Sequence, residues 1–111
     1  MATRGVYQIG DERVLGYNNS LLYNHWDNYP SGTALQLAQV IKAHGKLDYF
    51  SVIRGMPKVE TIDSIFRCGA EFFYKIYDGK IECSAVDGDF LLPKSSDTIE
   101  NWINSNLELD S

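Results

Sequence analysis

Between Tyr23 and Gly32 the chain reads Tyr23-Asn24-His25-Trp26-Asp27-Asn28-Tyr29-Pro30-Ser31-Gly32. An imidazole, an indole, a carboxylate, two phenols and two amides thus fall within one short run. His25 and Asp27, two residues apart, are the residue types of a general base and its orienting carboxylate, or of two metal ligands. A metal would need further ligands from elsewhere: His44 is the only other histidine, and Asp11, Asp48 and Asp63 have no spacing that singles them out. Trp26 and Tyr29 offer flat faces for stacking on a ligand or partner. Turn formation explains part of the run. Asp27 can bond backbone amides ahead of it, Asn28 can take a positive φ, and Tyr29 is held extended by Pro30. Local structure leaves His25 and Trp26 unexplained.

Other nucleophiles are poorly placed. Cys68 and Cys83 fit neither a zinc knuckle nor a redox pair. Cys83 falls on an apolar column, and Cys68 is expected in a helix's last turn, where the helix dipole disfavours a thiolate. An N-terminal nucleophile would have to be Cys, Ser or Thr, but removal of Met1 exposes Ala2. Neither a Walker-type loop nor a Rossmann fingerprint occurs.

The elements around the run can be read from periodicity. Strands are expected at Gly5 to Ile9, Arg13 to Tyr17 and Leu21 to Trp26, with turns at Gly10-Asp11-Glu12 and Asn18-Asn19-Ser20. On the third strand Leu21, Tyr23 and His25 share one face, and Leu22, Asn24 and Trp26 the other. Past Pro30 the period lengthens to that of a helix, with Ala34, Leu37, Ala38, Val40, Ile41 and His44 in one stripe, Ser31 as N-cap and Gly45 as stop. Leu47 to Ile53 is apolar and fits either a helix or a strand, and Asp48 in a capping position favours a short helix. Pro57 to Arg67 fits another helix, with Val59, Ile62, Ile65 and Phe66 inward and Gly69 after its end.

Asp78-Gly79 marks a hairpin between Glu71–Tyr77 and Lys80–Val86. A two-residue loop sets Ile76 opposite Ile81, Tyr74 opposite Cys83 and Phe72 opposite Ala85, and on the other face Lys75 opposite Glu82. Asp87-Gly88-Asp89 turns the chain into Phe90–Pro93. A last helix, from Thr98 to Leu107, is expected behind a capping box of Asp97 and Glu100, and Glu108 to Ser111 to fray. The expected architecture is a single α+β domain over residues 1–111: a mainly antiparallel sheet of about five strands with three or four helices packed on it.

Composition narrows the function classes. The chain has 111 residues, 44% of them hydrophobic, enough for one core. Its net charge of −5 and its scattered basic residues argue against direct nucleic-acid binding. The same acidity favours solubility and suits a basic surface on another protein. No stretch is long and apolar enough to span a membrane, and no leader is apparent, so a cytoplasmic protein without cofactor or metal is expected. Tyr7, Tyr17, Tyr29, Phe73 and Tyr77 are hard to bury together, which leaves open a homodimer, a partner interface or a second apolar layer.

Met1-Ala2-Thr3-Arg4-Gly5 and the segment Leu22-Tyr23-Asn24-His25-Trp26-Asp27-Asn28-Tyr29-Pro30 resemble small phage and prophage proteins that open with Met-x-Thr-Arg and carry His-Trp-Asp-Gly-Tyr-Pro before a helix. The resemblance covers roughly residues 1–45; Asn28 stands where those proteins usually have Gly. It implies a phage context, in which small acidic proteins without a catalytic motif act as anti-defence factors, anti-CRISPR proteins among them. The expectation is a non-catalytic inhibitor of a bacterial defence complex in the host cytoplasm, with Asn24, His25, Trp26, Asp27, Asn28 and Tyr29 as its contact surface. Two alternatives stand beside it: an oligomeric sponge for a nucleotide signal, with phosphate at the backbone amides of Ser31 and Gly32, and a small hydrolase using His25 and Asp27.

Overall fold

The computed structural model describes residues 3–10, 21–56 and 59–108. Strands β1 (Gly5–Ile9) and β2 (Leu21–Asn24) precede helices α1 (Pro30–His44) and α2 (Tyr49–Gly55); β3 (Glu60–Ile62), β4 (Phe72–Tyr77), β5 (Lys80–Asp87) and β6 (Phe90–Thr98) lead to α3 (Ile99–Glu108). The six strands form one sheet in the order β3-β2-β1-β4-β5-β6. Every neighbouring pair is antiparallel except β1 and β4, which run parallel at its centre. The fold is α+β, with three helices against one face of a mixed sheet. The expected strand Arg13 to Tyr17 and its flanking turns lie outside the described residues apart from Gly10.

The sheet's two faces build two apolar clusters. On the helical face Tyr7, Ile9, Leu22, Tyr74, Ile76 and Ile81 pack against Ala34, Leu37 and Val40 of α1, Val52 of α2 and Trp102 of α3. On the other face Val6, Phe73 and Ala70 gather Leu21, Ile62, Ile65 and Cys68 around them. Strand alternation divides the apolar residues between these layers. The α1 stripe faces the core through Ala34, Leu37 and Val40, whereas His44 is exposed at its end. Gly45 adopts a left-handed conformation (φ 74°) and its N–H closes onto the carbonyl of Ile41, ending the helix as expected.

The hairpin register agrees with expectation at every stated pair, from Phe72 opposite Ala85 to Ile76 opposite Ile81, with Lys75 opposite Glu82 on the other face. Asp78 and Gly79 both take positive φ, the requirement of the tight turn that matches the strands' twist. Asp48 caps α2: its carboxylate accepts from the Ser51 amide at 2.8 Å while Ser51 Oγ accepts from the Asp48 amide at 2.8 Å.

Four expectations are corrected. Residues 59–67 are not helical: Glu60–Ile62 pairs with the outer edge of β2, and the following turn packs Ile65 and Cys68 onto the sheet's second face. The helix-like spacing of Val59, Ile62 and Ile65 is met instead by a sheet edge with apolar cover on both sides, while Phe66 is exposed. Cys68 consequently lies in that turn, its thiol donating to the Ile65 carbonyl at 3.5 Å. The strand after Asp89 continues to Thr98, with a register shift that places Ser84 opposite Pro93 and Cys83 opposite Ser95. Proline, which lacks an N–H, is tolerated at such a bulge on an outer strand. The start of α3 is capped one residue later than expected, by Thr98 Oγ1 accepting from the Asn101 amide at 3.3 Å.

Candidate functional site

Strand β2 ends at Asn24, two residues short of the expected limit, because the chain then turns sharply to meet α1. That turn is held by carboxamide side chains. Asn28, with no exposed surface, sits at its centre. Its Nδ2 faces the carbonyls of Thr3, Asn24 and Trp26 at 2.9, 2.7 and 2.9 Å, while its Oδ1 accepts from the Tyr7 hydroxyl at 2.6 Å. Three carbonyls around one nitrogen fix the amide orientation, since only the NH₂ end can face them. Because Tyr7 spends its single proton on Asn28, the 2.9 Å contact with Thr33 Oγ1 must have Thr33 as donor. Tyr74 completes the network by donating to the Asn28 carbonyl at 2.6 Å.

A second carboxamide layer lies nearer the surface. Gln36, on the second turn of α1, donates to the Asp27 carbonyl at 2.8 Å and accepts from Asn24 Nδ2 at 2.8 Å. The expected positive φ falls on Asp27 (φ 58°) and not on Asn28. Asp tolerates this conformation, and placing it there leaves the Asn28 side chain free to turn inward. Ser31 does not cap α1; the N-cap position is Tyr29, extended at φ −65° and ψ 159° ahead of Pro30, with no side-chain cap. Pro30 at the first helical position has no N–H to satisfy, which reduces the need for a cap.

With its polar interior satisfied, the loop turns Trp26, Asp27 and Tyr29 outward. Trp26 is 56% exposed and Tyr29 40%. Together with Leu35, Gln36 and Gln39 of α1 they line an open groove of about 420 Å³. Its floor depends on Gly32, where a Cβ would collide with the Asp27 carbonyl oxygen and lie 3.1 Å from Tyr29 Cζ. Of the described residues that line the groove, Asp27 alone is charged.

His25 is not among the lining residues. Its Nδ1 lies 2.7 Å from the Tyr23 hydroxyl, and its ring meets the edge of Trp26 at a centroid distance of 4.6 Å. The six expected site residues therefore separate by role: Asn28 is buried scaffold, Asn24 braces the loop through Gln36, Trp26, Asp27 and Tyr29 face solvent, and His25 meets the indole. Sequence reasoning missed Leu35, Gln36 and Gln39, and took Gly32 only for its backbone amide. Leu35, an apolar residue off the buried stripe of α1, was the available signal, since positions 32, 35, 36 and 39 share a helix face.

Among the described residues, no three His, Cys, Asp or Glu side chains converge as a metal site would require, and no helix is long and apolar enough to cross a membrane. Cys83 is buried on the apolar column, and burial pushes its thiol up to about 11. Compared with protein-family models, curated proteins and solved structures, the chain has no significant match.

Proposed function

We propose that this chain is a non-catalytic, phage-type binding protein that inhibits a bacterial defence complex by docking through the groove at Trp26, Asp27 and Tyr29. The observation carrying the reading is the division of labour in the loop. A buried carboxamide network holds the turn, and on that base an indole and a phenol stand exposed in a groove whose one charged residue, among the described lining, is Asp27. Exposed aromatics on a rigid base lose little conformational freedom when covered, the property of interface anchors. The phage assignment rests on the resemblance of residues 22–30 to His-Trp-Asp-Gly-Tyr-Pro.

The same geometry favours binding over hydrolysis, because the phenol of Tyr23 is the imidazole's hydrogen-bond partner and His25 stands outside the groove that would receive a substrate. The reading is tested by co-purifying the tagged chain from bacteria carrying a defined CRISPR system and measuring phage plating in parallel. A complex of fixed stoichiometry and restored plating are expected, both lost in a folded Trp26→Ala, Tyr29→Ala double variant. Unchanged plating with the wild-type chain across the systems tested, or full activity in the double variant, overturns it.

A further inference from the structure

We infer that the groove at Trp26 receives the guanidinium of an arginine side chain on the partner protein. This deepens the docking reading and rests on it. The first ground is charge: Asp27 is the one charged residue among the described lining, on a chain of net charge −5. The second is the pair of exposed aromatic residues that line the same groove, Trp26 and Tyr29. Aromatic faces attract cations, and Trp does so best.

The third ground is how the hydrogen-bonding groups are spent. Two side-chain amide donors of the lining are engaged within the loop: Gln36 Nε2 with the Asp27 carbonyl at 2.8 Å, and Asn24 Nδ2 with Gln36 Oε1 at 2.8 Å. Pro30 brings no N–H to the helix start, and the Thr33 amide closes onto the Tyr29 carbonyl. A phosphate at the Ser31 and Gly32 amides would meet the negative charge of Asp27, which argues against the nucleotide sponge. A cation meets an acceptor that needs one.

Guanidinium suits the site better than ammonium because it is planar. It can stack on the indole while its edge forms a two-pronged pair with the carboxylate. The Asp27 backbone is set for this beforehand, held by its contact with Gln36, so binding loses little to ordering.

Trp26 is exposed and Trp102 is buried, so their two indole N–H signals in a ¹⁵N spectrum serve as reporter and internal control. The probe is a capped Ala-Arg-Ala peptide, compared with Ala-Lys-Ala and with the neutral isostere containing citrulline. Saturable movement of the Trp26 signal with a still Trp102 signal is expected for the arginine peptide. Binding should fall on the order of tenfold with citrulline or in Asp27→Asn, and less with lysine. Asn is well suited to positive φ, so Asp27→Asn preserves the turn while removing the charge. Equal binding of the citrulline peptide, no loss in Asp27→Asn, or no movement of the Trp26 signal overturns the inference. If the wild-type chain still captures its complex under any of these results, arginine recognition fails and the docking reading stands; if the Trp26, Tyr29 double variant keeps the complex, the docking reading itself fails.

Discussion

The hydroxyl of Tyr7 in the central strand donates a 2.6 Å hydrogen bond to Oδ1 of Asn28, and both residues have no exposed surface. The bond joins the middle of the sheet to the turn that displays Trp26. It ties the stability of the core to the geometry of the groove.

Asn28→Ala should therefore act on both. The substitution leaves the Tyr7 hydroxyl without its acceptor, strands the carbonyls that Nδ2 served, and opens a small void. Each buried polar group left unpaired costs about 1–3 kcal/mol, so a net loss of roughly 2–4 kcal/mol is expected in urea denaturation, allowing for partial collapse. Asn28→Gly should lose a comparable amount, because position 28 contributes its side chain and not a positive φ.

Gly32→Ala reverses the usual sign of its substitution class. Gly to Ala inside a helix normally stabilises by roughly 0.5–1 kcal/mol. Here the new methyl would collide with the Asp27 carbonyl and crowd the Tyr29 ring. A net destabilisation of about 1–3 kcal/mol is expected, with altered amide shifts across residues 26–29 in the folded variant. Unchanged shifts and a higher melting temperature would contradict the close approach.

Stability should fall at alkaline pH. Burial pushes the phenols of Tyr7 and Tyr74 well above their ordinary value of 10.0 and the Cys83 thiol from 9.0 to about 11. Each of these groups stays neutral in the folded chain after it would ionise in the unfolded one. Their contribution is complete below pH 9, where both states hold the protons, and shrinks as the unfolded chain ionises first. Cys83 begins the loss between pH 9 and 11 and the two tyrosines add to it above pH 10, each group contributing about 1.4 kcal/mol per pH unit. Denaturation midpoints measured from pH 7 to 11 should be flat at first and then drop, with tyrosinate absorbance rising together with unfolding.

Strand β6 should govern self-association. Among the described strands it is one edge of the sheet, nine residues long and exposed throughout, with Phe90 73% exposed and Leu92 42%. A long edge with apolar side chains is a template for pairing. Leu92→Lys should leave the unfolding free energy within about 0.5 kcal/mol while reducing concentration-dependent association in light scattering. Unaltered association would assign any oligomer to another face.

Much of this fold was legible because local physics agreed with it. Asp78-Gly79 set the β4–β5 register, Gly45 ended α1, and Asp48 opened α2, each through backbone conformations or caps confined to a few residues. Residues 59–67 were misread because Val59, Ile62 and Ile65 satisfy helical spacing as well as a sheet edge. The free edge of β2, supplied from nearly forty residues earlier, made the choice. No local pattern reveals that β1 pairs with β4 in parallel, since that pairing is decided by which strands must share the core.

The sequence by itself determined that an aromatic, amide-rich turn stands before α1, and which residue types it holds. Tertiary structure decided what each one does. Asn28 reads as a turn residue in isolation, yet Tyr7 and Tyr74, from strands far apart in the chain, make it the buried anchor. Its burial passes the positive φ to Asp27, which lines the groove with Trp26. The physical reason is that a buried carboxamide must satisfy its donors and its acceptor at once, and only the assembled sheet and loop bring the partners within reach.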